Sequence, residues 1–329
     1  MEKKYLNFRT PIEILADPPS EEGLLIGDKH LSKGSVCIIG GAPGVGKSRT
    51  SMSLAIAGAT QSPWFGLPVH RKFKTMILQS ENGAWRLYTE LRDIHGIEGY
   101  DEYVLVSDPP AYGIRLDEIG FREQFRDALD RFQPDIIVLD PWNSVVSDDK
   151  ARDFRDAFDS LRAITGTTEN DPALVIIHHT RKPKENEKHM GRALLNLFAG
   201  SYVIGSVARS AFHLQAATDD PEDNRVVLTC CKNNDGKLGE RTVWHRGNGL
   251  FEKATNFDWE KFDSGSGGKI ITTKEKVLTF LNGVNATRKE LVEGMKERHG
   301  LGKSSVYNAI STLLAEKEIK DREGCIYLA

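Results

Sequence analysis

Apolar positions along this chain fall into short uninterrupted runs separated by segments of helical period, the alternation expected of a parallel sheet covered by helices on both faces. The first run, residues 36–39, empties into a glycine-rich turn, and further runs follow at 75–79, 103–106, 135–140 and 173–177. Between them, residues 84–95, 116–132 and 151–164 repeat apolar side chains at helical spacing, as in Ile119, Phe121, Phe125, Leu129 and Phe132. Shorter strands are expected at 210–215, 226–231, 241–244 and 250–253, and they read as an antiparallel extension of the sheet. Residues 1–33, with their prolines and acids, are expected to form an irregular lead-in to the sheet edge apart from a short helix at 11–15.

The pattern changes after residue 262. Residues 263–268 read D-S-G-S-G-G, a flexible linker by composition, so the chain divides into a large unit over 1–262, a linker over 263–269 and a small unit over 270–329. The small unit holds three helical patterns and a terminal hairpin. The first is 274–281, the second opens on a capping box of Thr287 and Glu290, and the third runs over 303–317 before two short strands about Glu323 and Gly324. Helix, helix, helix and hairpin in that order is the winged-helix arrangement.

Composition narrows the picture only a little. Formal net charge over 329 residues is -3, with 10 Lys/Arg against 8 Asp/Glu in 270–329, so no overall basic character announces nucleic acid. The four cysteines, Cys37, Cys230, Cys231 and Cys325, show no metal-ligand spacing and read as reduced thiols. No stretch approaches the roughly 20 apolar residues of a membrane span, nor does the amino terminus resemble a signal peptide. A soluble cytoplasmic protein without a membrane partner is expected.

Candidate chemistry gathers at the carboxyl ends of the strands, where open α/β sheets bind ligands. Residues 41–48 read G-A-P-G-V-G-K-S between an apolar strand and a small-residue helix, which is the context a phosphate-binding loop requires. Gly41, Ala42, Pro43, Gly44, Val45, Gly46, Lys47, Ser48 and Arg49 are therefore the candidate nucleotide-binding set. Lys47 would reach the β- and γ-phosphates of ATP and Ser48 would ligate Mg²⁺. Asp140 ends an apolar strand and is the expected second Mg²⁺ ligand. Glu81, just beyond a strand expected to lie beside the loop strand, is the candidate for polarising the attacking water, with an N-cap or surface acid as the alternative. His178 and His179 end another interior strand; tandem residues point to opposite sides, and His178 is expected to face the nucleotide as a γ-phosphate sensor.

This order of motifs, with the strand ending H-H-T-R-K and the later G-S-V-A-R of 205–209, resembles the RecA-type ATPases, and among them most the RepA-like plasmid and phage replicative helicases related to DnaB. The resemblance covers roughly residues 10–255. It implies a RecA-like P-loop fold with a mostly parallel central sheet, a homo-oligomeric ring of six subunits, ATP bound between subunits, and single-stranded DNA in a central channel. Lys232 matches the lysine of a K-x-R-x-G-x-x-G stretch in DnaB-type helicases, but Asn234 stands where the arginine finger would be. Arg209 resembles the finger arginine of the RepA-like branch and is the preferred substitute; either cation could instead be a solvated charge.

Two basic segments are candidates for DNA. Arg181, Lys182, Lys184, Lys188 and Arg192 lie where related rings carry channel loops, and cations with little aromatic interleaving bind phosphates without reading bases. In the winged-helix candidate, Lys303, Ser304, Ser305, Tyr307 and Asn308 would face a duplex major groove, although such modules also dock proteins. The leading expectation is an ATP-hydrolysing ring motor on DNA, helicase chemistry being implied by the resemblance. The alternatives are an ATPase that assembles on DNA as a regulator or recombination accessory without unwinding it, and a small-molecule kinase, which would have no use for a tethered winged helix.

Overall fold

The computed structural model describes residues 8–145, 151–166, 170–181, 190–198, 202–220, 222–247, 249–265, 273–282, 284–299, 302–322 and 324–329. Contacts divide the chain into two compact units, the boundary along the chain falling between Phe262 and Asp263.

The large unit opens with α1 (Pro11–Ala16), started by a capping box of Thr10 and Glu13. The antiparallel pair β1 (Leu24–Ile26) and β2 (Leu31–Ser32) follows. These residues are not an irregular lead-in, because Leu25, Ile26 and Leu31 are buried in the main core and need paired backbone there. Then come β3 (Val36–Gly41), α2 (Lys47–Thr60), β4 (Thr75–Gln79), α3 (Ala84–Arg92), β5 (Val104–Val106), α4 (Ile119–Phe132), β6 (Ile136–Asp140), α5 (Ala151–Thr165) and β7 (Ala173–His179). The remainder comprises α6 (Tyr202–Val207), β8 (Ser210–Ala216), β9 (Arg225–Asn233), β10 (Thr242–Gly247), β11 (Leu250–Lys253) and α7 (Trp259–Gly265). Helix α7 runs into the segment whose composition reads as a linker, and residues 266–269 of that segment lie outside the described residues.

Strands β3 to β11 make one sheet in the order β11-β10-β9-β8-β3-β7-β6-β4-β5. From β8 to β5 all pairings are parallel, and β9, β10 and β11 extend the sheet antiparallel. Period-two alternation divides the strand residues between two cores. Ile39, Ile77, Val138, Val175 and Ile177 pack on the α2 side, whereas Ile38, Leu78, Leu139, Leu174 and Ile176 pack with Phe125, Leu129, Phe154 and Phe158 of α4 and α5. Burial on both faces is why the strands read as unbroken apolar runs. This is the α/β, RecA-like architecture, with a mostly parallel central sheet.

The sheet order corrects one expectation. Strand β4, which leads to Glu81, is not beside the loop strand β3: β7 and β6 lie between them. Crossover helices can return the chain several strands away, so adjacency in sequence does not set adjacency in the sheet.

Helix α2 packs closely because Gly58 lies under Phe73, where a Cβ would come within 2.1 Å of the ring. Gly58→Ala is therefore expected to destabilise the large unit by about 1–3 kcal/mol, the scale of core overpacking. A lower urea midpoint would show it; an unchanged midpoint would mean that Phe73 can vacate the space.

The small unit contains α8 (Thr273–Leu281), β12 (Ala286–Thr287), α9 (Arg288–His299), α10 (Lys303–Ala315), β13 (Ile319–Arg322) and β14 (Cys325–Leu328). Its strands form an antiparallel sheet in the order β12-β14-β13. Val277, Leu281, Leu291, Met295, Val306, Ile310, Leu313, Ile319 and Ile326 supply a separate core. Thr287 and Glu290 make the expected capping box, with Glu290 N–H donating to Thr287 Oγ1 at 3.3 Å and Thr287 N–H to Glu290 Oε2 at 2.8 Å. Among the described residues no helix is long and apolar enough to cross a membrane.

Candidate nucleotide-binding and hydrolysis site

The loop between β3 and α2 owes its course to its glycines. Gly46 has φ +104°, a conformation that residues with a Cβ rarely adopt, and a Cβ on Gly41 would stand 2.6 Å from Leu214 O. Ala42, Pro43 and Gly44 are exposed at the apex and Val45 is buried beneath it. The loop delivers the chain into the first turn of α2, whose N–H groups are oriented to receive an anion.

Lys47 is 6% exposed, and its ammonium donates to Gly41 O and Ala42 O, both at 2.9 Å. Burial lowers its pKa, while the charges of Asp140 and Glu81 oppose that shift. These two acids therefore share one small volume with the lysine. Asp140, 4% exposed at the end of β6, is pushed up to about 6 by burial and by Glu81, against the hydrogen bond from Ser48 and the charge of Lys47. Ser48 and Asp140 are thus near enough to interact, and their hard oxygens suit Mg²⁺. Among the described residues no three acidic, histidine or cysteine side chains are placed to hold a metal ion, so substrate phosphates and water would complete the coordination, as is usual for this ion. Mg²⁺ held there would neutralise charge on the β- and γ-phosphate oxygens.

Glu81 reaches this volume although β4 is two strands removed from β3. The turn after β4 is held by Gln79, which is buried, accepts from Asn82 N–H at 2.7 Å and donates to Asn82 O at 3.0 Å and Ser107 O at 2.8 Å. Ser80 N–H donates to Asp140 O at 3.1 Å, tying the same turn to β6. Glu81 itself is exposed.

The histidine pair is corrected. His178 is fully buried, with its ring between Phe154 and Phe198 on the α5 side of the sheet. His179 shares the opposite face with Val175 and Ile177, the face on which α2 lies. Burial lowers its pKa, Lys47 lowers it further and Glu81 raises it, so His179 is the member of the pair on the Lys47 and Glu81 side of the sheet. Strand parity carried the signal: Gly41 and Asp140 also continue the α2-facing sets of their strands.

Arg49, counted in the loop set, turns aside. Its Nε lies 3.9 Å from Glu90 Oε1 on α3, and Arg86 Nη2 is 2.5 Å from the same oxygen. Sequence reasoning missed Arg246, which crosses from β10 and donates through Nη1 to Gly44 O at 2.9 Å. No motif marks it, since residues 202 positions apart meet only through the sheet order.

Arg209 and Lys232 are not part of this volume. Arg209 N–H donates to Val36 O at 2.7 Å, which puts it at the opposite end of β3 from the loop. Its half-exposed guanidinium makes a two-pronged ion pair with Asp235. Lys232 pairs with Ala211 in register at the same end and donates to Gly205 O at 2.8 Å. Asn234 N–H donates to Arg209 O.

Of the first basic segment, Arg181 donates to Asn196 O at 3.2 Å and Arg192 is exposed. Lys182, Lys184 and Lys188 lie outside the described residues. In the small unit, Lys303, Ser304 and Asn308 are exposed on α10, and the Lys303 ammonium stands 5.6 Å from the centre of the half-buried Tyr307 ring. The side chain of Ser305 lies outside the described residues. Glu316, an acid at the end of this helix, is neutralised by Lys274 at 2.6 Å.

A search of curated proteins gives no match. Among solved structures, a KaiC-like protein from the hyperthermophilic archaeon Pyrococcus horikoshii OT3 is similar at 14% identity and a TM-score of 0.49, over 72% of this chain and 95% of that one. A family model described as AAA domain matches residues 4–185, more than half of the 329-residue chain and all of the loop, Glu81, Asp140 and the histidine pair. The chain belongs to the AAA domain family and is a P-loop ATPase of RecA-like fold.

Proposed function

We propose that this ATPase is a motor on DNA that works as a homo-oligomeric ring, in the manner of the RepA-like replicative helicases of plasmids and phages, in the cytoplasm. The observation that carries the reading is Arg209. An ATPase needs positive charge for the γ-phosphoryl oxygens in the transition state. Arg209 stands at the end of the strands opposite its own loop, half-exposed and aimed by Asp235, so it suits a neighbour's ATP and not its own.

In this reading Lys47 binds the phosphates, Ser48 and Asp140 hold Mg²⁺, Glu81 polarises the water and His179 senses the γ-phosphate. Lys232 supports Arg209 across the subunit boundary. The segment from Arg181 to Arg192 tracks single-stranded DNA through phosphate contacts. The small unit acts as a winged helix that meets duplex DNA through Lys303, Ser304, Tyr307 and Asn308; its helix, strand, helix, helix and hairpin order supports that reading.

A strand-displacement assay on a forked duplex, run beside mass measurement of the assembly, tests the proposal. ATP with Mg²⁺ should drive both ring formation and displacement, and DNA binding should weaken steeply with salt. ATP-dependent DNA binding without displacement would instead favour an accessory ATPase that assembles on DNA.

A further inference from the structure

The hairpin formed by β10 and β11 reaches the phosphate loop of its own chain. Arg246 donates through Nη1 to Gly44 O at 2.9 Å and through Nε to Asn224 O at 3.2 Å. Its stem passes so near Gly46 that a Cβ there would stand 3.2 Å from Arg246 Cδ and 3.7 Å from Phe251 Cζ. The hairpin tip is fixed on the other side, since a Cβ on Gly249 would come within 2.5 Å of Glu90 O on α3. A planar cation is thereby held beside the loop by two carbonyls.

Charge at this shoulder is unbalanced. Arg49 and Arg86 both address the single buried carboxylate of Glu90, and Arg246 stands close enough to repel Arg49. Asp93 also acts on Arg49, but it is paired with Arg92. Arg49 and Arg86 on Glu90, with Arg246 beside Arg49, leave positive charge for an anionic or electron-rich ligand.

The direction of the ligand follows from the sheet. Asp140 and Glu81 come from β6 and β4, on one side of β3, whereas β8, β9 and β10 lie on the other. A nucleotide whose terminal phosphates lie toward those acids leads its ribose and base the opposite way, over Ser48 and Arg49 toward β10.

We infer that Arg246 is a nucleoside contact for the ATP of its own subunit, its guanidinium face stacking on the base beside Phe251. This rests on the ATPase reading of the loop. A guanidinium fixed by carbonyls has lost its freedom before the ligand arrives, which favours stacking over a mobile lysine. Arg246 thus serves binding in its own subunit, a different task from that of Arg209.

Calorimetric titration of the full chain with ATP, ADP and inorganic tripolyphosphate, each with Mg²⁺, separates the possibilities. Arg246→Ala should weaken ATP and ADP about 10-fold or more, the scale of a desolvated cation–π contact, and leave tripolyphosphate affinity within about twofold. Arg246→Lys, which can keep the bond to Gly44 O but has no planar face, should show the same split. Equal loss for tripolyphosphate in both variants would make Arg246 a buttress of the loop and overturn the inference, as would unchanged ATP affinity. Native protein that binds neither ATP nor tripolyphosphate would overturn the ATPase reading and this inference with it.

Discussion

Glu81→Gln is expected to bind ATP as the native chain does and to turn it over at least roughly 100-fold more slowly, the scale for losing a general base. The expectation follows from where the carboxylate sits. It is exposed to water yet close enough to Lys47, Asp140 and His179 to act on the charge of each. Glutamine keeps the shape and the turn held by Gln79 but cannot take a proton. Lys47→Ala should differ in kind, losing ATP affinity as well as turnover, because in the proposed reading the buried ammonium is the cation that meets the phosphates. Single-turnover and equilibrium binding measurements distinguish the two variants. A Glu81→Gln protein with near-native turnover would remove that residue from the chemistry.

Arg209→Ala should show a larger defect, roughly 10³- to 10⁵-fold in turnover with ATP still bound, if its guanidinium supplies the finger. Arg246 does not compensate, because it is tied to Gly44 O on the outer side of the loop. Lys232→Ala should cost less: its ammonium is committed to Gly205 O and carries no fork to grip a phosphoryl group. Asn234 cannot serve, having no charge. Activity per subunit should therefore fall on dilution, as neighbours separate.

Much of this site was legible in the sequence because its parts are local. The loop from Gly41 to Ser48 is one continuous motif, and Asp140 ends a strand whose four apolar predecessors are all buried. The alternation of unbroken apolar runs with helical periods likewise gave the parallel sheet, since strands covered on both faces have no polar positions to spare. What was not legible depends on strand order and parity. Glu81 looked like a neighbour of the loop strand, and the insertion of β7 and β6 has no local signature. His178 and His179 differ only by which face each residue of β7 takes; the sets to which Asp140 and Gly41 belong would have chosen His179. Arg246 was invisible because nothing in the run Thr242 to Gly247 marks an arginine that a sheet will carry to a loop 202 positions earlier. The buried hairpin of β1 and β2 was obscured by the prolines and acids preceding it.

The most direct test of the account mixes two inactive proteins. Arg209→Ala retains an intact loop, Lys47→Ala retains an intact arginine, and neither should hydrolyse ATP alone. If the subunits assemble as proposed, co-assembled rings would contain boundaries where an intact loop meets an intact neighbouring Arg209, so steady-state ATPase activity should return in part and scale with the fraction of such boundaries. No recovery in assemblies shown by mass to be mixed, or full-rate hydrolysis by dilute native monomer, would contradict it.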